Sequence, residues 1–240
     1  LPPAAKDEAA TGPEARRFRL QYAKVKPMVF IGHQDLIRLF HRAFRRAGLR
    51  LDYSQGFHPH PRLRFSPPLG VGIESTAEYV DFDVVLCDLN LPEILHRLTD
   101  VLPVGIKPLN LKEISLNGGG ISAKIQEVSY EIRIADNRPP LDLEGCVQRF
   151  QSSPCCLISK LHKGKTKTRD LKLLIKDLVA GQDVLYMTLK AGPSGSVHPL
   201  EAARAVLGLG DDSAHILRVR KTAVRIGESK TFDEGCSHAQ

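Results

Sequence analysis

The chain has 240 residues, of which 42% are hydrophobic and 25% are charged, and these proportions are ordinary for a globular protein. The length suffices for one large domain or for two small domains that each bury a core. No run of about 18 apolar residues occurs, so no membrane-spanning helix is expected. The formal net charge of +7 favours a polyanionic partner.

Cysteine spacing excludes several kinds of site. The count of five is odd, and the sequence contains neither a CxxC nor a CxxxCxxC motif. A disulfide framework, a cysteine-rich zinc site and an iron–sulfur site therefore lack the spacing that they need. Reduced thiols in a cytoplasmic protein are the expectation. The start, which lacks Met, suggests a fragment cut from a longer polypeptide.

The first half of the chain alternates between the periods of strands and helices. Residues 1–16 are rich in Ala, Pro and charge, which predicts a linker. Apolar spacing then predicts, in order, a strand over 17–25, a helix over 33–47, extended structure over 62–65, a strand over 77–86, a helix over 92–98 and a strand over 106–114.

The second half repeats this order with one ambiguous stretch. The pattern predicts a strand over 128–134, a helix over 141–150, a strand over 156–161, a basic hairpin or loop over 162–169, a strand or helix over 171–178, a strand over 184–190, a helix over 198–207 capped by Ser194 or Ser196, and a strand over 216–224.

Element order predicts the fold class. Strand, helix, strand, strand, helix, strand is the order of the split βαβ, or ferredoxin-like, fold. We therefore expect an α+β protein with two tandem ferredoxin-like units and antiparallel sheets. The units would span 17–116 and 128–226, with a linker over 117–127 and a disordered tail over 227–240.

Positive charge is concentrated in two stretches. Between positions 33 and 64 there are seven arginines and two acidic residues. The predicted helix over 33–47 has no glutamate to neutralise its arginines at helical spacing, which favours phosphate binding over a merely solvated face. A second stretch, over 160–176, has seven basic residues and one aspartate. A solubilising loop explains this stretch equally well.

A polar loop with two prolines, YSQGFHPHP over 53–61, follows the helix. Its prolines stiffen it and its aromatic rings could stack on bases, although a structural crossover is an equal alternative. The candidate ligand-binding residues are Arg38, Arg42, Arg45, Arg46, Tyr53, Gln55, Phe57, His58, Arg62, Arg64, Lys163, Lys165, Lys167 and Arg169.

Histidines support a catalytic alternative. Imidazole titrates near neutral pH, so His33, His58 or His60 could cleave RNA without a metal by general acid–base chemistry. No metal site is expected, because the HxH pair at 58 and 60 has no third ligand placed by the sequence. A third alternative is a module that docks a peptide or protein substrate.

Two blocks resemble a known bacterial family. The stretch from GHQDLIRLFHRAFRRAGLRLDYSQGFHPHPRLRF to EYVDF, and later TRDLKLLI with GPSGSVHPLEAARAVLGL, are similar to the radical-SAM-associated domain of unknown function. This resemblance implies a domain that occurs alone or behind a B12-binding and radical-SAM region. It implies an iron–sulfur cluster and S-adenosylmethionine, with cobalamin in B12-binding fusions, only for that fused or partner enzyme. No cofactor is expected in this segment.

The leading hypothesis from these observations is a noncatalytic RNA-binding or substrate-presenting domain of a radical-SAM enzyme. The helix arginines would bind phosphates, Arg62 and Arg64 would extend that contact, and the 53–61 loop would contact the ligand itself.

Overall fold

A computed structural model describes residues 15–55, 57–85, 88–135, 141–162, 165–192 and 196–227. Its strands are β1 (Ala15–Lys24), β2 (Leu63–Phe65), β3 (Glu74–Val85), β4 (Ile106–Ile114), β5 (Ile125–Ile134), β6 (Leu157–His162), β7 (Lys165–Asp170), β8 (Ile175–Ala180), β9 (Val184–Lys190) and β10 (Leu217–Ile226). Its α-helices are α1 (His33–Arg46), α2 (Leu91–Val101), α3 (Ile121–Lys124), α4 (Leu143–Ser152), α5 (Leu171–Leu174) and α6 (Pro199–Leu207).

One eight-stranded sheet runs through both halves of the chain. Its order is β4-β1-β3-β10-β5-β9-β8, and β2 pairs with β3 beside this path. Every pairing is antiparallel except that of β3 with β10, which is parallel and spans two residue pairs. Strands β6 and β7 form a separate hairpin. The predicted α+β class with a mostly antiparallel sheet is confirmed.

The core of the first half lies between its strands and helices α1 and α2. Alternation along β1 directs Phe18, Leu20 and Tyr22 to the helix side, and each is at most 1% exposed. The rings of Phe44 in α1 and Phe82 in β3 stack with centroids 4.3 Å apart. Aromatic contacts of this kind add to the burial of apolar area, so they fix α1 against the sheet.

A second core lies under helices α4 and α6. Ile132 of β5 and Leu185 of β9 are register partners, and both are at most 1% exposed. They pack with Cys146 of α4 and Ala202 of α6, which are fully buried. The small side chain at 202 lets the helix approach the sheet closely. Each half of the sheet is therefore covered by helices on the same face.

Buried ion pairs occupy the opposite face of the first half. Arg17 donates to Asp83 from Nε at 2.5 Å and Nη2 at 2.8 Å, and Arg19 binds Asp81 in the same two-pronged way. All four side chains are at most 6% exposed. Arg64 of β2 also donates to Asp83, at 3.1 and 3.2 Å.

Residues 117–127, which the sequence predicted as a linker, cover these ion pairs. Arg17 Nη1 donates to the carbonyl oxygens of Leu116 and Gly118, and Gly120 lies against the stem of Arg64. The segment then forms α3 and enters β5, and Ile121 is fully buried. The run NGGG at 117–120 looks like a linker because glycine is common in turns, but here it brings backbone close to a buried guanidinium.

Other sequence expectations differ in detail. The ambiguous stretch over 171–178 contains both α5 and the start of β8, and the basic stretch forms β6 and β7. The α6 N-cap is His198 without a side-chain cap, so the Ser196 cap was wrong; Ser194 lies outside the described residues. Residues 15 and 16 belong to β1, whereas the rest of the predicted linker and the tail after 227 lie outside the described residues.

We predict that Asp83→Asn destabilises the fold by about 3–5 kcal/mol, because it leaves two guanidinium groups next to a neutral side chain. Burial opposes ionisation of Asp83, but the hydrogen bonds and charges of Arg17 and Arg64 outweigh it and hold its pKa below the usual value. The stabilisation is therefore present above about pH 4 and is lost as the pH falls further. Urea unfolding from pH 7 to pH 3 measures both effects.

Glu113→Gln is the matched control for this measurement. Glu113 also binds an arginine of β1, with Oε2 at 2.8 Å from Arg16 Nη2, but its side chain is 46% exposed. Exposed pairs contribute about 0–1 kcal/mol. A loss for Asp83→Asn no larger than that of Glu113→Gln would show that the buried pairs do not hold the sheet together.

Candidate nucleic-acid interface

Helix α1 has one apolar face and one basic face. Leu36, Phe40 and Phe44 are buried against the first core, as their spacing of four residues predicts. Asp35 lies in the first turn and two arginines in the last, both of which suit the helix dipole. The residues that share the exposed face, called here the α1 arginine surface, are Arg38, Arg42, Arg45 and Arg46.

Carboxylates neutralise little of the α1 arginine surface. Arg38 lies 3.3 Å from Asp35, but both side chains are more than 60% exposed, so the pair is weak. Arg42, Arg45 and Arg46 form no ion pair with any residue that the structure describes. The surface thus carries unbalanced positive charge, as the sequence predicted.

Hydrogen bonds join the 53–61 loop to α1 and also connect the two ends of the loop. His41 and Tyr53 share a hydrogen bond of 3.0 Å between Nε2 and the hydroxyl. Tyr53 and Pro61 form a β-bridge, and Ser54 and His60 exchange hydrogen bonds of 2.8 and 3.0 Å. Because His41 is three residues from Arg38 and four from Arg45, the loop joins the helix beside the α1 arginine surface.

The tip of this loop exposes an aromatic ring. The Phe57 side chain is fully exposed, at 103% of its reference area, and Gln55 and His58 are exposed beside it. A large apolar ring in water does not stabilise the folded chain. An exposed ring at the tip of a closed loop is therefore a candidate for contact with a ligand.

Two arginines of the predicted site have structural partners instead. Arg64 donates to buried Asp83, as described above, and Arg62 Nε lies 3.2 Å from Asp52 Oδ2. These pairings neutralise much of the charge that was expected to extend the phosphate contact. Less of the charge of these two arginines is therefore free for a ligand than the sequence suggested, and their role in binding stays a prediction.

The second basic stretch belongs to the β6–β7 hairpin on the other half of the chain. Lys167 is exposed, and Arg169 donates to the carbonyl oxygen of Ser196. Lys163 and the Lys165 side chain lie outside the described residues. In the described part of the chain, no hydrogen bond or ion pair joins this hairpin to the α1 arginine surface.

Among the described residues, His33 does not contact either of the other two histidines proposed for RNA cleavage. His33 is half-buried and packs edge-on against Phe65, with ring centroids 5.6 Å apart, whereas His58 and His60 are exposed in the loop. Between His33 and these two, the described coordinates contain neither a hydrogen bond nor a ring contact. Within the same described ranges, no group of three or more His, Cys, Asp or Glu could hold a metal.

Residues 17–199 match the model of a family described as an uncharacterized protein conserved in bacteria, DUF2344. The chain belongs to the DUF2344 family. No curated protein matches it. A crystal structure of an unknown protein from Galdieria sulphuraria is similar at 12% identity, covering 89% of this chain and all of that one, with a TM-score of 0.27. No helix of the described DUF2344 chain is both long and apolar enough to cross a membrane.

The DUF2344 chain also contains a buried charged cluster that sequence reasoning missed, called here the seam cluster and formed by Lys24, Ser66, Glu78 and Lys221. Glu78 Oε1 lies 2.8 Å from Lys221 Nζ without the angles of a hydrogen bond, and Ser66 donates to Oε2 at 3.0 Å. All four residues are at most 3% exposed. The cluster lies where β10 of the second half meets β3 of the first.

Burial perturbs the groups around Glu78. It lowers the pKa of Lys24, an effect that the negative charge of Glu78 only partly offsets, and Lys24 Nζ donates to the carbonyl oxygen of Ile31 at 3.0 Å. Burial and the Glu78 charge together raise the pKa of Tyr22. These groups, with His33, line a cavity of about 10 Å³, which is room for one water.

A sequence signal for this cluster exists. Lys24 is in phase with the buried positions of β1, Glu78 with those of β3, and Lys221 with those of β10. A charged residue that continues an apolar alternation is a candidate for a buried ion pair. The pattern does not show which charged residues form a pair, because Glu78 and Lys221 are more than a hundred positions apart.

We predict that Glu78→Gln destabilises this DUF2344 chain by about 3–5 kcal/mol, since it leaves buried lysines without a counter-charge. In the double variant E78M/K221M an apolar pair of similar volume replaces the buried ion pair. It should recover the part of the loss that comes from Lys221, while Lys24 stays without a counter-charge. Chemical unfolding of wild type and both variants at pH 7 measures these losses.

Glu74→Gln serves as the control, because Glu74 also connects β3 to β10 but binds Arg220, whose side chain is 50% exposed. Glu74→Gln should lower the free energy of unfolding by no more than about 1 kcal/mol. Equal losses for Glu74→Gln and Glu78→Gln would contradict a special role for the seam cluster.

Proposed function

We propose that this chain is a noncatalytic RNA-binding domain that uses the α1 arginine surface and the 53–61 loop. Guanidinium groups bind phosphate through paired, charged hydrogen bonds. Aromatic rings stack on bases that are not already stacked in a duplex. Single-stranded RNA is therefore the favoured ligand, with its backbone along α1 and a base on Phe57.

One observation carries this proposal: an exposed aromatic ring at the tip of a closed loop that joins α1 beside Arg42, Arg45 and Arg46, which have no carboxylate partner among the described residues. Elsewhere in the first half, arginines meet aspartates, as Arg17, Arg19 and Arg64 do. On the α1 arginine surface, Arg42, Arg45 and Arg46 have no such aspartate among the described residues. Their mutual repulsion destabilises the folded chain unless a partner of opposite charge binds there.

The resemblance of the sequence to the radical-SAM-associated domain suggests a partner enzyme for this RNA-binding domain. We propose that the domain presents RNA, or another substrate, to a radical-SAM enzyme in the cytoplasm, either fused to it or separate. The iron–sulfur cluster and S-adenosylmethionine, and any cobalamin, would belong to that enzyme. We also propose that each half is a ferredoxin-like unit, which the strand orders β4-β1-β3-β2 and β10-β5-β9-β8 support.

The other two functions have less support. A ribonuclease that uses His33 with His58 or His60 lacks contact between these rings among the described residues. A protein-docking role could use the groove of about 640 Å³ between α1 and residues 100–104, which form the end of α2 and the turn after it and expose Val104. That groove also contains Arg42 and Arg46, so charge reversal there tests it together with RNA binding.

We predict that the purified chain binds a labelled single-stranded RNA of about 20 nucleotides, and that its affinity falls steeply with salt. The triple variant R42E/R45E/R46E should lose at least tenfold in affinity, and its salt slope should decrease by about 0.7 for each phosphate contact removed. Fluorescence anisotropy at several salt concentrations measures both quantities.

The matched control is K107E/K112E, which reverses exposed charges on β4 of the same half. It reverses two charges where the triple variant reverses three, so its effect per reversed charge reports the nonspecific field of the protein. Binding that is absent at low salt, or equal weakening by both variants, would remove the proposal. The same RNA incubated in EDTA should remain intact, and cleavage would favour the histidine mechanism.

A second prediction isolates the loop. Phe57→Ala should weaken RNA binding by about 1–3 kcal/mol, the usual contribution of one stacked base, without changing the salt slope. It should leave the unfolding midpoint unchanged, because the ring is fully exposed. Phe30→Ala is the control, since Phe30 is 66% exposed but lies outside the loop. If the two variants bind RNA equally well, Phe57 does not contact the ligand.

A further inference from the structure

A basic pocket lies on the face of the sheet opposite α1, next to the line where β3 meets β10. It has a volume of about 220 Å³ and is lined by Lys26, Glu74, Glu131, Arg133, Arg218 and Arg220, with Gly72 and Val219. Alternation explains this set: Val219 and Lys221 of β10 point to the helix side, so Arg218 and Arg220 point to the other. This pocket contains no residue of the α1 arginine surface.

Two arginines in the pocket face each other across neighbouring strands. Arg218 of β10 and Arg133 of β5 are register partners in an antiparallel pair, so their side chains leave the same face side by side. Like charges directly opposite each other destabilise a sheet. The strand pairing thus places two like charges side by side at an exposed position.

Among the described residues, no carboxylate forms an ion pair with Arg133 or Arg218, although Glu131 lies diagonally beside them as the register partner of Arg220. Glu74 is bound by Arg220, through Nε at 3.2 Å and Nη2 at 2.8 Å. Arg218 donates to the backbone carbonyl oxygen of His215, and this acceptor is uncharged. Among the described residues, Arg133 and Lys26 make no hydrogen bond or ion pair. With one Glu–Arg pair set aside, the pocket holds three cations and one further carboxylate, Glu131.

We propose that this pocket binds the phosphate group of a small phosphorylated molecule. Arg133 and Arg218 hold the phosphate oxygens between them, Lys26 adds charge at the rim, and Glu131 accepts a hydrogen bond from a hydroxyl or amine of the ligand. Guanidinium forks match phosphate geometry, and a dianion between two facing arginines turns their repulsion into attraction.

The size of the pocket limits the ligand. Sites for drug-sized molecules have volumes of about 300–1,000 Å³, so a pocket of about 220 Å³ suits a sugar phosphate or a similar phosphomonoester better than a dinucleotide. An RNA strand would need an open path, and Glu74 and Glu131 at the walls repel its flanking phosphates. The class is therefore a small phosphomonoester.

Ribose 5-phosphate is the probe, with ribose as the uncharged comparison, and isothermal titration calorimetry with the full chain is the measurement. Wild type should bind ribose 5-phosphate and not ribose. Arg133→Gln should weaken binding by roughly tenfold to a hundredfold, the value of one or more charged hydrogen bonds. Arg133→Lys should retain part of the affinity, and Lys112→Gln, an exposed change on β4, should bind as wild type does.

A second readout separates binding from a structural role. Without ligand, Arg133→Gln should unfold at the same temperature as wild type or higher, because it removes a like-charge contact. With ribose 5-phosphate, wild type and Lys112→Gln should gain more thermal stability than Arg133→Gln, since a ligand stabilises the state that it binds. A lower midpoint for ligand-free Arg133→Gln would overturn the inference.

The outcomes distinguish this site from the RNA-binding proposal. R42E/R45E/R46E should keep its affinity for ribose 5-phosphate, and Arg133→Gln should keep its affinity for RNA. No binding of ribose 5-phosphate by wild type, or equal weakening by Lys112→Gln and Arg133→Gln, overturns the small-phosphate site whatever the RNA result. Loss of RNA affinity in Arg133→Gln without any sugar-phosphate binding assigns the pocket to an RNA path and also overturns it.

Discussion

The contact between Glu78 and Lys221 connects β3, in the first half of the chain, to β10, in the second half. Strand β10 meets β3 in parallel over only two residue pairs, so the ladder itself offers few hydrogen bonds at this point. At this point the buried Glu78–Lys221 ion pair also joins the two strands, and Ser66 donates a further hydrogen bond to Glu78. Buried ion pairs add little net stability, because desolvation offsets attraction, but breaking one is costly. We infer that the seam cluster fixes which strands meet.

Register at the seam decides what each face of the sheet presents. Because side chains alternate, placing Lys221 inward beside Ser75 forces Arg220 outward beside Glu74. A slip of one residue would put Arg220 among buried groups and expose Lys221. The same alternation aligns Arg218 with Arg133 on the outer face. The inner cluster and the outer pocket are thus two consequences of one strand pairing.

Sequence reasoning succeeded where local spacing carries the information. The period of α1 predicted its buried face and its arginines, and strand alternation predicted β1, β3 and β4. It failed where a partner is distant in the chain: nothing near Arg64 indicates that Asp83 takes its charge, and nothing near Gly118 indicates that its carbonyl caps Arg17. The geometry of the 53–61 loop was equally hidden, because it depends on a hydrogen bond between His41 and Tyr53.

Arginine therefore has two distinct uses in this protein, and net charge alone does not separate them. Arg17, Arg19 and Arg64 have carboxylate partners and belong to the fold, whereas Arg42, Arg45 and Arg46 have none in the described chain. Arg17, Arg19 and Arg64 are paired with aspartates of the neighbouring strand β3, whereas Arg42, Arg45 and Arg46 are exposed on the outer face of α1. Positive charge on such a face persists without compensation, and that is why the functional proposal rests on α1 and not on the larger number of basic residues.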